Sequence, residues 1–110
     1  MAVRVFTDDP DSLLAALKLA ISDGKIETWT IDSDGDLTQT AKQWSRRAWM
    51  RPKVLDDRLL FNIIASKEEK MSKVVYGVYH GRLIQMLIVH FDDRIRTASA
   101  TGLATAGDNI

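Results

Sequence analysis

The segment RLLFNIIA, residues 58–65, leaves a chain of this size little choice of architecture. Six of its eight residues are apolar, and no regular polar alternation divides them into an inner and an outer face. Leu, Ile and Phe side chains in a run this short favour a strand in the middle of a sheet, covered on both faces, over a strand at an edge. A chain of 110 residues can build one core, burying about two-thirds of the surface its unfolded form exposes. The whole sequence is therefore expected to pack around that strand as a single domain. Cysteine is absent, which excludes structural disulfides, thiol catalysis and thiolate-held metals.

The rest of the chain supplies elements to surround it. VRVF, residues 3–6, alternates apolar and polar positions as a short strand does. TDDPDS then offers aspartates and Pro10 at a helix start, and Leu13, Leu14, Leu17, Ala20 and Ile21 recur at helical spacing until Asp23-Gly24. KIETWTI, residues 25–31, is rich in β-branched and aromatic residues and reads as a strand. A short inserted helix is expected from the Thr40/Gln43 capping box to Arg51, where Pro52 restrains the preceding backbone. A second capping box, Ser66 and Glu69, predicts a long helix from Lys67 to about Asp93, with a strand at KVVYGVYH as the alternative. IRTASATGLA, residues 95–104, reads as a last strand, and 105–110 as a loose tail. The resulting order points to an α+β fold, a ferredoxin-like βαββαβ sandwich with an antiparallel sheet, two helices on one face and a short helix inserted after the second strand.

Charge is balanced overall but unevenly placed. Residues 1–36 hold eight acids against Arg4, Lys18 and Lys25, whereas residues 37–55 hold Lys42, Arg46, Arg47, Arg51 and Lys53 and no acid. Such polarity favours steered encounter with a charged partner. Between Val74 and Phe91 the only formal charge is Arg82, which predicts a helix buried on most sides or one whose outer face meets a second subunit. Arg82, Gln85, His80 and His90 interrupt that run, so a membrane span is not expected. The N-terminal residues reach Asp8 without an apolar stretch, which makes a cytoplasmic domain the expectation, and the compactness of the chain points to a bacterial type.

Three segments could carry chemistry. DSDGD, residues 32–36, matches a calcium loop at Asp32, Asp34 and Asp36, but Leu37 stands where that loop needs glycine and Gln43 where it needs a bidentate glutamate. Asp34-Gly35 between extended segments predicts a tight hairpin turn instead, and no metal site. KQWSRRAWMRPK, residues 42–53, interleaves bases with tryptophans, so Lys42, Arg46, Arg47, Trp49, Arg51 and Lys53 form the candidate interaction surface. Arg and Trp are the residues that protein interfaces favour. The same composition would suit nucleic acid, but overall neutrality counts against a dedicated nucleic-acid binder.

Tyr76, His80 and Arg82 form a weaker candidate ligand site, because Tyr76 and His80 lie one helical turn apart. His80 and His90 would stand roughly 15 Å apart along a helix, too far to share a metal. No phosphate loop, dinucleotide fingerprint, nucleophile elbow or zinc-protease motif occurs, so no catalytic residue and no cofactor is expected. The sequence thus favours a non-enzymatic domain that acts by binding a protein, as an inhibitor or immunity-type protein does, or by pairing with itself through helix 74–91. A nucleic-acid module based on 42–53 and a small enzyme or ligand-binding domain around His80 are the alternatives.

Overall fold

The computed structural model describes residues 2–109. Its elements are β1 (Ala2–Phe6), α1 (Pro10–Ser22), β2 (Trp29–Ile31), β3 (Leu37–Gln39), β4 (Ala48–Val54), β5 (Arg58–Ala65), α2 (Lys73–Phe91) and β6 (Thr97–Ala100), with a 3-10 turn at Asp92–Arg94. The strands form one six-stranded sheet in the order β2-β3-β4-β5-β1-β6, with every neighbouring pair antiparallel. The fold is α+β: an open antiparallel sheet with two helices. Its order is not that of the expected four-stranded sandwich, because β2 and β3 add a hairpin at one edge.

Local chemistry explains the two helices. The Asp9 carboxylate accepts the Ser12 amide at 3.1 Å and Pro10 follows it, so α1 starts with one free donor satisfied and one removed. It ends where Gly24 takes a positive φ of 80°. In α2 the cap is Ser72, whose hydroxyl accepts the Val75 amide at 3.1 Å. This corrects the expected start at Ser66 and Glu69. Ser66 Oγ instead accepts the Glu68 amide at 3.1 Å within a turn, and Glu69 is drawn away to Arg47. The strand alternative for KVVYGVYH is overturned, since all of it is helical.

The inserted helix of residues 40–51 is also corrected. Only one turn forms, closed by the Trp44 and Ser45 amides on the Ala41 carbonyl, and Arg46 then reverses the chain at φ 60°. Thr40 does not cap it; its hydroxyl donates to the Glu27 carbonyl at 2.6 Å. The chain continues as β4, where Pro52 lies beyond the single β3 pairing at Met50 and so sits on a side without a strand neighbour, as proline requires.

One core lies between the sheet and the helices. Val3, Val5, Ala48, Met50, Leu59, Phe61 and Ile63 alternate along β1, β4 and β5 and meet Leu13 and Leu17 of α1 and Tyr79, Leu83 and Leu87 of α2. The helices cover only this face, so the expectation that RLLFNIIA is covered on both faces is corrected. Its other face, with Leu60 and Ile64 half-buried, is shielded at Asn62 by the C-terminal residues. Residues 105–109 do not hang loose, and Ile110 of the expected tail lies outside the described residues. The Asn109 amide donates to the Ile63 carbonyl at 3.0 Å and the Ala65 amide to the Asn109 carbonyl at 2.7 Å, along the part of β5 that β1 leaves unpaired.

Candidate interaction surface on the open sheet face

Strand alternation dictates what the uncovered face displays. Antiparallel register sets Trp49 opposite Ile64, Arg51 opposite Asn62, and Lys53 opposite Leu60. On the other side of β5, Arg4 stands opposite Leu60 and Phe6 opposite Arg58. Residues directly opposite one another share a face. Arg4, Arg51, Lys53 and Arg58 therefore join Trp49 and Phe6 on one surface, and none of the six strands contributes an Asp or Glu to it.

Trp49 occupies a particular place on that surface. Its half-buried indole lines two clefts. One, of about 590 Å³, is bounded by Ser45, Arg46, Arg47, Glu68 and Glu69. The other, of about 360 Å³, is bounded by Asp32, Asp34, Arg51, Ile64 and Lys67. Both rims carry charges of both signs.

Several of those charges already hold one another. Arg51 donates to Asp36 through Nε at 2.9 Å and a terminal nitrogen at 2.8 Å, and the Asp36 carboxylate is buried. The hydrogen bond that Arg51 donates to Asp36, and then the Asp36 charge, push the guanidinium pKa up, with Asp34 and Asp32 adding to the effect. Arg47 donates to Glu69 at 3.0 Å and lies over the Trp44 ring at 5.5 Å. Lys42, Arg46 and Lys53 are exposed and have no ion-pair partner among the described residues. Of the six residues expected from sequence, Trp49, Arg51 and Lys53 share the open face, Arg46 and Arg47 border it in the preceding turn, and Lys42 lies at that turn's start.

The aspartate cluster is a hairpin turn. Asp32 Oδ1 accepts the amides of Asp34 and Asp36 at 2.9 and 3.0 Å, and Gly35 takes φ 84°. The three carboxylates come within 4.8 Å of one another, but both Asp36 oxygens are committed to Arg51. The turn and the basic segment are thus side by side, and neutralise each other at that point.

Tyr76, His80 and Arg82 do not converge. His80 is buried with Nδ1 2.7 Å from the Tyr76 carbonyl, and its ring packs on Tyr76 at 4.6 Å between centroids. Arg82, two positions on, points away from them, reaching Gln39 Oε1 at 3.4 Å and the Trp44 ring at 5.9 Å.

Sequence reasoning missed Arg4, Phe6 and Arg58 as members of the face. The alternation of VRVF sets Arg4 and Phe6 on one face but does not mark it as an interface, and Arg58 joins them only once β1 and β5 are paired. No helix among the described residues is long and apolar enough to cross a membrane. No family model, curated protein or solved structure matches this chain.

Proposed function

We propose that the chain is a binding domain, not an enzyme, and that it docks an acidic region of a protein partner on its open sheet face with Trp49 as the anchor. The observation that carries this reading is the position of Trp49, half-buried between two clefts whose rims bear both charge signs. A tryptophan flanked by arginines and ringed by polar groups is the composition from which protein interfaces draw most of their binding energy. Arg4, Lys53 and Arg58 supply the positive field that steers an acidic partner. The test is capture from a lysate of the source cells followed by binding of the purified partner. Trp49→Ala is expected to weaken that binding at least tenfold while the circular dichroism spectrum stays unchanged. Equal affinity for wild type, Trp49→Ala and Lys53→Glu would overturn the reading.

Single-stranded nucleic acid is the second reading, favoured by the absence of acids from the strand positions of this face. Against it, Arg47 and Arg51 are already paired and Glu68, Glu69, Asp32 and Asp34 would face a phosphate chain near Trp49. Fluorescence anisotropy with labelled oligonucleotides at about 50 mM salt decides, because binding through phosphates is strong there and falls steeply as salt rises. We also read the fold as a ferredoxin-like sandwich enlarged by the β2–β3 hairpin. In support, the order without that hairpin is β4-β5-β1-β6, where each helical connection passes over one intervening strand.

A further inference from the structure

The outward side of α2 has no charge for most of its length. At 100° per residue, Val75, Tyr79, Leu83, Met86 and Leu87 point to the core, while Val74, Val78, Gly81, Gln85 and Ile88 form a stripe on the opposite side. Val74, Ile88 and the neighbouring Val89 are 63%, 53% and 66% exposed. A helix on the surface of so small a domain ordinarily presents charged residues outward, and one that is apolar on all sides is ordinarily covered. Nothing lies within 4 Å of where a Cβ would stand on Gly77 or Gly81, so another backbone could approach there. Beside Gly77 a cleft of about 520 Å³, lined by Met71, Tyr76, Leu103 and Ala104, continues the apolar surface.

The charges at the two ends say what covers it. Lys70 and Lys73 stand at the N-terminal end of α2 and Asp92 and Asp93 at its C-terminal end, all exposed and without ion-pair partners among the described residues. This is the reverse of what the helix dipole prefers, since cations destabilise the N-terminus and anions the C-terminus. The arrangement becomes complementary when a second α2 runs antiparallel to the first. With Gly81 opposite Gly81, Val74 meets Ile88 of the second copy, Gly77 meets its Gln85, and Lys70 and Lys73 fall within one turn of its Asp92 and Asp93. The same contacts recur on the other side of the two-fold axis, as a self-complementary interface requires.

We infer that the chain forms a homodimer through antiparallel pairing of α2, centred on Gly81 and set in register by its lysine and aspartate ends. A 19-residue helix is roughly 28 Å long. Its face alone is smaller than the standard of about 800 Å² per partner, so Leu103 and the cleft beside Gly77 belong to the interface.

Sedimentation equilibrium tests this. The mass is expected to rise from 12.4 kDa towards twice that value with concentration. Gly81→Arg, which meets open space within the subunit, is expected to raise the dissociation constant at least tenfold with unchanged circular dichroism. Gly81→Cys, the only cysteine such a variant would contain, is expected to crosslink two chains under mild oxidation. Lys73→Asp separates dimer from helix effects. It relieves the dipole conflict, so it raises the monomer's thermal stability yet weakens dimerisation, and Asp92→Lys added to it restores the dimer. A mass that stays at the monomer value up to about 1 mM, a dimer that survives Gly81→Arg, or an α2 face that captures only a different protein would overturn the inference.

Discussion

Arg51 on β4 closes its guanidinium on Asp36 at the base of the β2–β3 turn, with two hydrogen bonds of 2.9 and 2.8 Å. The arginine is largely exposed while the carboxylate is nearly buried, so the guanidinium is a lid that covers the acid and supplies hydrogen bonds in place of water. It joins the most acidic turn of the chain to its most basic strand, and fixes the hairpin against β4 where only Leu37 and Met50 are in register.

Removing the lid should therefore cost more than an exposed ion pair would. Arg51→Ala is expected to destabilise the domain by about 1.5–3 kcal/mol, the range for a hydrogen bond to a charged group whose partner is left buried. Arg51→Lys recovers only part of this, because a single ammonium cannot reproduce the two-pronged contact. Adding Asp36→Asn to Arg51→Ala should regain much of the loss, since the buried charge is then gone. Thermal denaturation of the three variants measures the pattern, and a double variant no more stable than Arg51→Ala would contradict it.

Tyr79 ties the same region to the helix layer. Its hydroxyl donates to the Trp44 carbonyl and meets Thr38 Oγ1 at 3.1 Å, while its ring stands edge-on to Trp29 at 5.7 Å. Thr38 in turn accepts the Arg46 amide at 3.1 Å and donates to the Ala48 carbonyl at 2.8 Å. Tyr79→Phe keeps the ring and removes the donor, so a loss of about 1–3 kcal/mol is expected. Hydrogen exchange should place the loosening in the 41–47 turn, with the Trp44 and Ser45 amides exchanging faster than in wild type. An unchanged turn would show that it is held by its backbone alone.

These side-chain ties explain what could and could not be read from the sequence. The α1 limits were legible because Asp9, Pro10 and Gly24 act locally. The long helix was legible from its charge-poor run between Val74 and Phe91, although its start was misplaced by one rival serine. The 42–53 segment was misread because its fate depends on distant partners. Thr38, Tyr79 and Glu69 stop the turn after one round, and β5 then recruits 48–54 as a strand. For the same reason three of the six expected surface residues share the open face, while Arg4, Phe6 and Arg58 arrive there from segments that carry no local mark of an interface.

Gly107 tests whether the C-terminal residues are part of the fold. Its φ of 97° is a conformation that side chains resist, and an added Cβ would stand 2.8 Å from Asn62 Oδ1. Gly107→Ala is expected to release residues 105–109 from β5 at a cost of about 1–2 kcal/mol. The loss cannot exceed the docking energy of the segment, because detachment relieves the strain. Faster exchange of the Ala65 and Asn109 amides, with the core amides unaffected, is the expected result.

Asp108 gives that docking a pH dependence. Its Oδ1 accepts Asn62 Nδ2 at 2.8 Å and the Ile63 amide at 3.0 Å, and its Oδ2 accepts the Thr105 amide at 2.9 Å. Burial outweighs the amide bonds from Thr105 and Ile63 and holds the Asp108 carboxyl above the ordinary aspartate range. The folded state therefore binds this proton more tightly than the unfolded state does. The associated stabilisation is complete below the unfolded value and is lost as pH rises through the folded one. Docking should thus be firmest at acid pH and loosen from about pH 4 upward, opposite in sign to the usual contribution of an ion-paired aspartate. Carboxyl-carbon NMR titration should find Asp108 above the ordinary aspartate range, and exchange at Asn109 should accelerate across the same interval beyond the intrinsic pH effect. Asp108→Asn should abolish that excess, and a wild-type profile that the variant reproduces would assign the dependence to another group.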